Sequence, residues 1–107
     1  MVAAAAVSLE ISRILRNAVK QDASVKIHRC SSGKMDVAFL RDGEAIETWD
    51  LHNKAVMDEL IDAVELMAGV GDRKDQISVS IGDTLRVFKV DVGNCEDGRQ
   101  ASLALKA

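Results

Sequence analysis

The chain has 107 residues and a mass of 11.6 kDa, which is the size of one domain. Hydrophobic residues make up 48% and charged residues 29% of it, values typical of a globular fold, which exclude a disordered tail or a collagen-like fibre. The net charge of −3 provides no overall field that attracts polyanions. The longest apolar run, from Val2 to Val7, is far shorter than the roughly 18 residues of a membrane span. We expect one domain over residues 1–107 that does not enter a membrane.

Cysteine content and the N-terminal segment indicate the compartment. The two cysteines, Cys30 and Cys95, permit at most one disulfide, and nothing else in the composition indicates an oxidising environment. The N-terminal apolar run lacks a preceding basic region, and Arg13 interrupts it before the core of a secretory signal could form. We therefore expect a cytoplasmic protein.

The first predicted element is a helix over residues 2–22. Its apolar residues recur at helical spacing and form one stripe; they are Val7, Ile11, Ile14, Leu15, Ala18 and Val19. On the polar side, Arg13, Arg16 and Lys20 are spaced so that they share a face. A basic row of this kind is suited to contacts with nucleic-acid phosphates.

Three short strands are predicted next, over residues 24–30, 34–41 and 44–49. Asp42 and Gly43 predict a type I′ hairpin turn, because both residue types tolerate positive φ. The middle strand is apolar on both faces, which favours a central strand that is covered on each side. In the third strand Trp49 shares its parity with Ala45 and Glu47, so we expect it on the less buried face.

The clearest helix runs to Ala68, with Asp50 or Asn53 as its N-cap. Gly69 predicts a left-handed stop. The apolar arc of this helix spans roughly 160°, more than the stripe of about 100° that packing on one sheet face requires. We expect the surplus to be a contact strip for another protein, formed by Trp49, Val56, Met57, Leu60, Ile61 and Val64. The neighbouring carboxylates Asp58, Asp62 and Glu65 would form its acidic rim.

The last third of the chain is predicted to be largely strand. Residues 76–81 alternate strictly between apolar and polar, and Gly82 with Asp83 predicts a two-residue turn of type I′ or II′. The parity of the apolar residues shifts within residues 85–92, which predicts a bulge or burial on both faces. Residues 94–98 read as a polar loop, and the alternation in residues 101–105 predicts an edge strand or a short helix.

The elements together predict an α+β fold in which an antiparallel sheet carries the helices, in the order α-β-β-β-α-β-β. Class I type III secretion chaperones, which are small acidic homodimers, share this order. The resemblance is one of topology and implies a homodimer that binds other proteins.

Residues suited to chemistry are few. His28 and Cys30 point to the same strand face, and with His52 and Cys95 they are the candidates for a zinc site or a Cys–His nucleophile pair. Their spacing matches no close-pair zinc pattern, so we expect no metal, no cofactor and no catalytic residue. The glycines at positions 69 and 71 follow a helix C-terminus, where the negative end of the helix dipole repels phosphate. We therefore do not expect them to form a phosphate-binding loop.

The charge distribution completes the prediction. Residues 1–40 carry six bases and three acids, whereas residues 41–70 carry two bases and eight acids. Our leading hypothesis is a non-enzymatic protein-protein interaction module of the chaperone or adaptor type, acting as a homodimer. The alternatives are a phage- or virus-encoded inhibitor of a host protein, a nucleic-acid-binding module that uses Arg13, Arg16 and Lys20, and an enzyme or metal protein built on His28 and Cys30. Only three aromatic residues are present, which disfavours binding by base stacking.

Overall fold

The computed structural model describes residues 2–29, 33–69, 75–95 and 98–106. Two helices and one six-stranded antiparallel sheet form an α+β fold, as predicted. The helices are α1 (Val2–Gln21) and α2 (Lys54–Ala68), and the strands are β1 (Ser24–Arg29), β2 (Met35–Arg41), β3 (Glu44–Leu51), β4 (Gln76–Ile81), β5 (Thr84–Cys95) and β6 (Gly98–Leu105). Ser31 and Ser32, between β1 and β2, lie outside the described residues. Neither described helix is long and apolar enough to cross a bilayer.

The strands lie side by side in the order β3-β2-β1-β6-β5-β4. The predicted meander of β1, β2 and β3 is confirmed by antiparallel pairing of each neighbouring pair. The strand predicted over residues 101–105 is confirmed as part of β6, but its predicted position at an edge is wrong, because β6 lies between β1 and β5 in the middle of the sheet. The sheet therefore has two edges, β3 and β4, that come from different halves of the chain.

Both helices pack on the same face of the sheet. Buried side chains alternate along β1, β2, β5 and β6 and meet the apolar stripes of the helices in one core. In β2, Met35, Val37 and Phe39 are buried, whereas Asp36, Ala38 and Leu40 on the other face are only half-buried. The expectation that β2 is covered on both sides is thus wrong. We call the face that carries no helix the open face.

The helix ends are fixed by local hydrogen bonds. Beyond α1, Asp22 has a φ of 53° and donates its N–H to Val19, while Ala23 donates to Ala18, which is the Schellman arrangement. At the start of α2 the side chain of Asn53, not that of Asp50, accepts the free backbone N–H groups.

The expected left-handed stop at Gly69 is wrong. Its φ of −84° is still helical, and its N–H donates to the carbonyls of Glu65 and Leu66. The carbonyl of Ala68 instead accepts a hydrogen bond from the N–H of Asp75, at 3.0 Å. Asp75, the residue before β4, therefore satisfies a backbone group at the end of α2.

The two hairpin turns follow from their residues. Asp42 and Gly43 both have positive φ, as the predicted type I′ turn requires. In the second hairpin only Gly82 has positive φ, which identifies type II′ between β4 and β5.

The pairing of β5 corrects two further expectations. Its register with β4 runs without a shift, so the predicted bulge is absent from this pairing. Burial on both faces is also wrong, because Phe88 and Val90 face the helices whereas Leu85, on the open face, is 65% exposed. The predicted loop at residues 94–98 is replaced by strand at Asn94, Cys95 and Gly98; residues 96 and 97 lie outside the described part.

Candidate interaction surfaces

The predicted contact strip on α2 lies in the core of the single chain. Its five helical members are at most 8% exposed; they are Val56, Met57, Leu60, Ile61 and Val64. The reason is that α2 does not rest on the sheet alone: α1 packs directly beside it and covers the remaining part of its apolar arc. These side chains are therefore not a surface that a partner can reach in this conformation.

Trp49, the sixth member, lies on the helix-covered face of β3. It is paired with Val37, packs edge-on against Phe39 with ring centroids 4.7 Å apart, and is half-buried. The expectation that it occupies the less buried face is wrong. The register of β2 and β3 shifts after Phe39, so Ile46 is left without a partner and the parity reverses along β3.

The acidic row on α2 is paired with bases from the sheet. Asp58 lies 2.7 Å from Arg29 of β1 and 2.8 Å from Lys54. These hydrogen bonds, that of Lys54 first and that of Arg29 next, lower the pKa of Asp58.

The other two carboxylates of this row share a single base. Arg99 of β6 contacts Asp62 and lies 3.9 Å from Glu65. The hydrogen bond to Asp62 raises the pKa of Arg99. The acidic row therefore fastens α2 to the sheet, and its role as the rim of a binding surface stays a prediction.

The basic row of α1 is exposed along its length. Arg13, Arg16 and Lys20 all face solvent, and Arg13 bonds to Glu10 at 3.1 Å. The Arg13 guanidinium also lies 5.5 Å from the centroid of the Trp49 ring, a cation–π contact with β3. Arg16 and Lys20 project from the exposed side of α1.

A hydrogen-bond network beside this row joins α1 to β3. Glu47 accepts from Asn17 at 2.9 Å and from Gln21. The pKa of Glu47 is lowered by its hydrogen bonds to Asn17, Trp49 and Gln21, and by the charge of Lys20. This network holds the helix on the edge of the sheet.

The candidate zinc ligands are not brought together in the described part of the chain. His28 is half-buried on the open face, and His52 is exposed in the connection before α2. No group of three or more His, Cys, Asp or Glu residues that could hold a metal ion occurs among the described residues. Cys30 lies outside the described residues, as does Gly71.

A shallow depression lies near the centre of the open face. Its walls come from β1, β2, β3 and β6; they are Lys26, His28, Asp36, Ala38, Thr48 and Gln100. Cationic and anionic side chains both line it, so its charge selects no single class of ligand.

The two edges of the sheet differ in the way they meet solvent. The exposed edge β3 carries Glu44, Glu47 and Asp50, and it contains the register shift; charges and bulges are the usual protection of an edge against further pairing. The other edge, β4, has no charged residue, no proline and no register shift. Within the described part of the chain, no strand pairs with its outer side.

Apolar side chains at the β4 edge are incompletely covered. Ile77 is buried, but Val79 and Ile81 on the same face are only half-buried, because no further strand of the described residues lies beside them. On the open face, the strongly exposed Leu85 is paired with Ser80. Sequence reasoning missed this surface, although the absence of charge in residues 76–81 was a signal for it.

No protein-family model matches this sequence, and no curated protein matches it.

Proposed function

We propose that this chain is a non-enzymatic protein-binding module, acting as a homodimer, and that its binding surface is the outer edge of β4. The observation that carries the proposal is the contrast between the two edges. β3 has three carboxylates and a register shift, whereas β4 has neither charge nor shift. An uncharged, regular edge strand is a ready template for a strand from another polypeptide.

The β4 edge can bind an added strand through both its backbone and its apolar side chains. In a strand, alternate residues direct their N–H and C=O groups to opposite sides, so half of the β4 residues present these groups away from β5. An added strand would satisfy them with main-chain hydrogen bonds, as in other cases of β-augmentation. It would also cover the half-buried Val79 and Ile81, so that apolar burial contributes to binding.

Binding, rather than catalysis, is also favoured by the use of the charged side chains. Asp58, Asp62 and Glu47 form ion pairs or hydrogen bonds between α2 or α1 and the sheet. Contacts of this kind hold elements together.

The test uses a short extended peptide as the probe strand. A fluorescein-labelled peptide with the sequence of residues 75–83 is titrated with the protein, and its anisotropy is measured. We expect saturable binding that is lost when alternate backbone nitrogens of the peptide are methylated, because methylation removes the donors and keeps the side chains. Equal binding of both peptides, or of neither at a protein concentration low enough for light scattering to show a monomer, would contradict the proposal.

Two protein variants locate the binding surface. Ser78→Lys/Ser80→Lys places charge on the exposed open face of β4 and should abolish peptide binding. Ala45→Lys/Thr48→Lys places the same charge on exposed positions of the opposite edge and should leave binding unchanged. If the two variants behave alike, β4 is not the binding surface.

A second candidate function, nucleic-acid binding, is favoured by one observation, the solvent exposure of Arg13, Arg16 and Lys20 along one face of α1. Phosphate contacts by such a row would be non-specific and sensitive to salt.

A further inference from the structure

We infer that the strand added at β4 is β4 of a second copy of this chain, paired antiparallel about a two-fold axis at Val79. This inference rests on the proposed function. It specifies the occupant of the edge and the register of the pairing, so that a two-fold dimer joins two sheets into one.

The last five of the six residues of β4 form a palindrome. Residues 77–81 read Ile-Ser-Val-Ser-Ile in both directions. Two antiparallel copies centred on Val79 therefore place Val79 opposite Val79, Ile77 opposite Ile81, and Ser78 opposite Ser80. Every residue meets its own type, which is the self-complementarity that a two-fold interface requires.

The faces of the sheet agree with this register. Residues directly opposite each other in neighbouring strands point to the same face. The pairing centred on Val79 keeps isoleucine and valine on the helix-covered face of both copies, and keeps the serines on the open face. A pairing centred between two residues would place a helix-side residue opposite an open-side residue, which the pleat of a sheet forbids.

Burial and charge favour the same pairing. The second copy would cover Val79 and Ile81, which are half-buried in the single chain, with β-branched partners. No like charges meet within the palindrome. Asp75 and Asp83 flank it and approach each other only at the exposed ends of the interface. Dimerisation should therefore tighten slightly with added salt, which screens their repulsion.

Charge exchange provides the main test. Wild-type protein is expected at twice the mass of the single chain by light scattering. Ser78→Lys/Ser80→Lys and Ser78→Glu/Ser80→Glu should each be monomeric, because like charges then lie opposite each other. When the two variants are mixed, each lysine lies opposite a glutamate, and a heterodimer should form. Ala45→Lys/Thr48→Lys on β3 serves as the control and should remain dimeric. Circular dichroism confirms that each variant is folded.

Disulfide formation tests the register. Val79→Cys should cross-link to itself under mild oxidation, since residues directly opposite in antiparallel strands have Cα separations within the range of a disulfide. Ser78→Cys and Ser80→Cys should not cross-link alone through the new residues, but should do so when mixed. Peptide mapping distinguishes these disulfides from any that involve Cys30 or Cys95.

The outcomes separate this inference from the proposed function. A wild-type monomer at millimolar concentration, or a dimer that both charged β4 variants retain, would overturn the two-fold β4 pairing. If the labelled peptide still binds at β4 in that case, the edge takes the strand of a different protein, and the proposed binding function stands without the homodimer. If the peptide also fails to bind, both are wrong.

Discussion

The guanidinium of Arg29 lies 2.7 Å from the carboxylate of Asp58 and joins the end of β1 to the second turn of α2. Lys54, one turn earlier on α2, holds the other carboxylate oxygen at 2.8 Å. Both contacts lower the pKa of Asp58 in the folded state. The stabilisation is therefore fully present above the unfolded pKa of about 3.9, and it is lost as the pH falls through the lower folded value.

Asp58→Asn should make the stability of the protein depend less on pH in the acid range. The variant should have a lower Tm than the wild type near pH 7, and the difference should shrink as the pH falls below about 3.9 and through the lower folded pKa, because the wild-type carboxylate is progressively protonated there. Thermal unfolding followed by circular dichroism at several pH values measures this. Glu59→Gln removes a charge from the adjacent exposed position and serves as the control. A constant Tm difference at all pH values would contradict the assignment.

Leu60→Ala should be strongly destabilising, whereas Leu66→Ala should not. Leu60 is fully buried between α2 and the rest of the core, and truncation of such a leucine costs about 2–5 kcal/mol. Leu66, further along the same helix, is 72% exposed. We expect its truncation to change the free energy of unfolding by no more than about 0.5 kcal/mol. Urea denaturation gives both values. Similar losses for the two variants would show that the packing of α2 differs from that described.

Gly98→Ala should destabilise the junction of β6 with β1. Gly98 has a φ of 142°, and a Cβ at this position would lie 2.6 Å from the carbonyl oxygen of Arg29. Backbone strain at such a position costs on the order of 1–3 kcal/mol, and the steric conflict adds to it. Gly93→Ala is the matched control, because a Cβ there meets no atom within 4 Å. Urea denaturation should therefore separate the two variants clearly.

Arg16→Glu/Lys20→Glu tests the second candidate function without disturbing the contact of Arg13 with Trp49. If α1 binds nucleic acid, the wild type should shift labelled single- or double-stranded DNA at low salt, and the variant should not. Lys89→Glu, on the exposed open face of β5, provides a charge reversal away from α1. Absence of wild-type binding at low ionic strength would exclude this function.

Local features of the fold were predictable because each depends on a few neighbouring residues. Asp42 and Gly43 adopt the positive φ values that their turn type requires, and Asn53 is the N-cap of α2. The width of the apolar arc on α2 was a sound observation, but its interpretation was wrong. Periodicity shows that an arc is buried without showing what covers it, and here α1 covers it together with the sheet.

Features that depend on pairing between distant strands were not predictable. The face of Trp49 follows from a register shift opposite Phe39, which the alternation of β3 alone does not reveal. The central position of β6 depends on pairing with β1, far away along the chain. The same strand order makes β4 an edge strand. Its outer side could therefore be identified as a candidate site only once the order of all six strands was known.

The central position of β6 also constrains how the molecule is made. Val25 is paired with Leu103, so the middle of the sheet joins segments from opposite ends of the described chain. During synthesis, the β1–β3 meander and the β4–β5 hairpin emerge from the ribosome before residues 98–105. Until β6 is made, β1 and β5 each lack a partner strand on one side. Contacts of such long sequence separation are slow to form. The sheet can therefore close only after β6 has been synthesised, and a truncation before β6 would leave one side of β1 and one side of β5 unpaired and prone to aggregation.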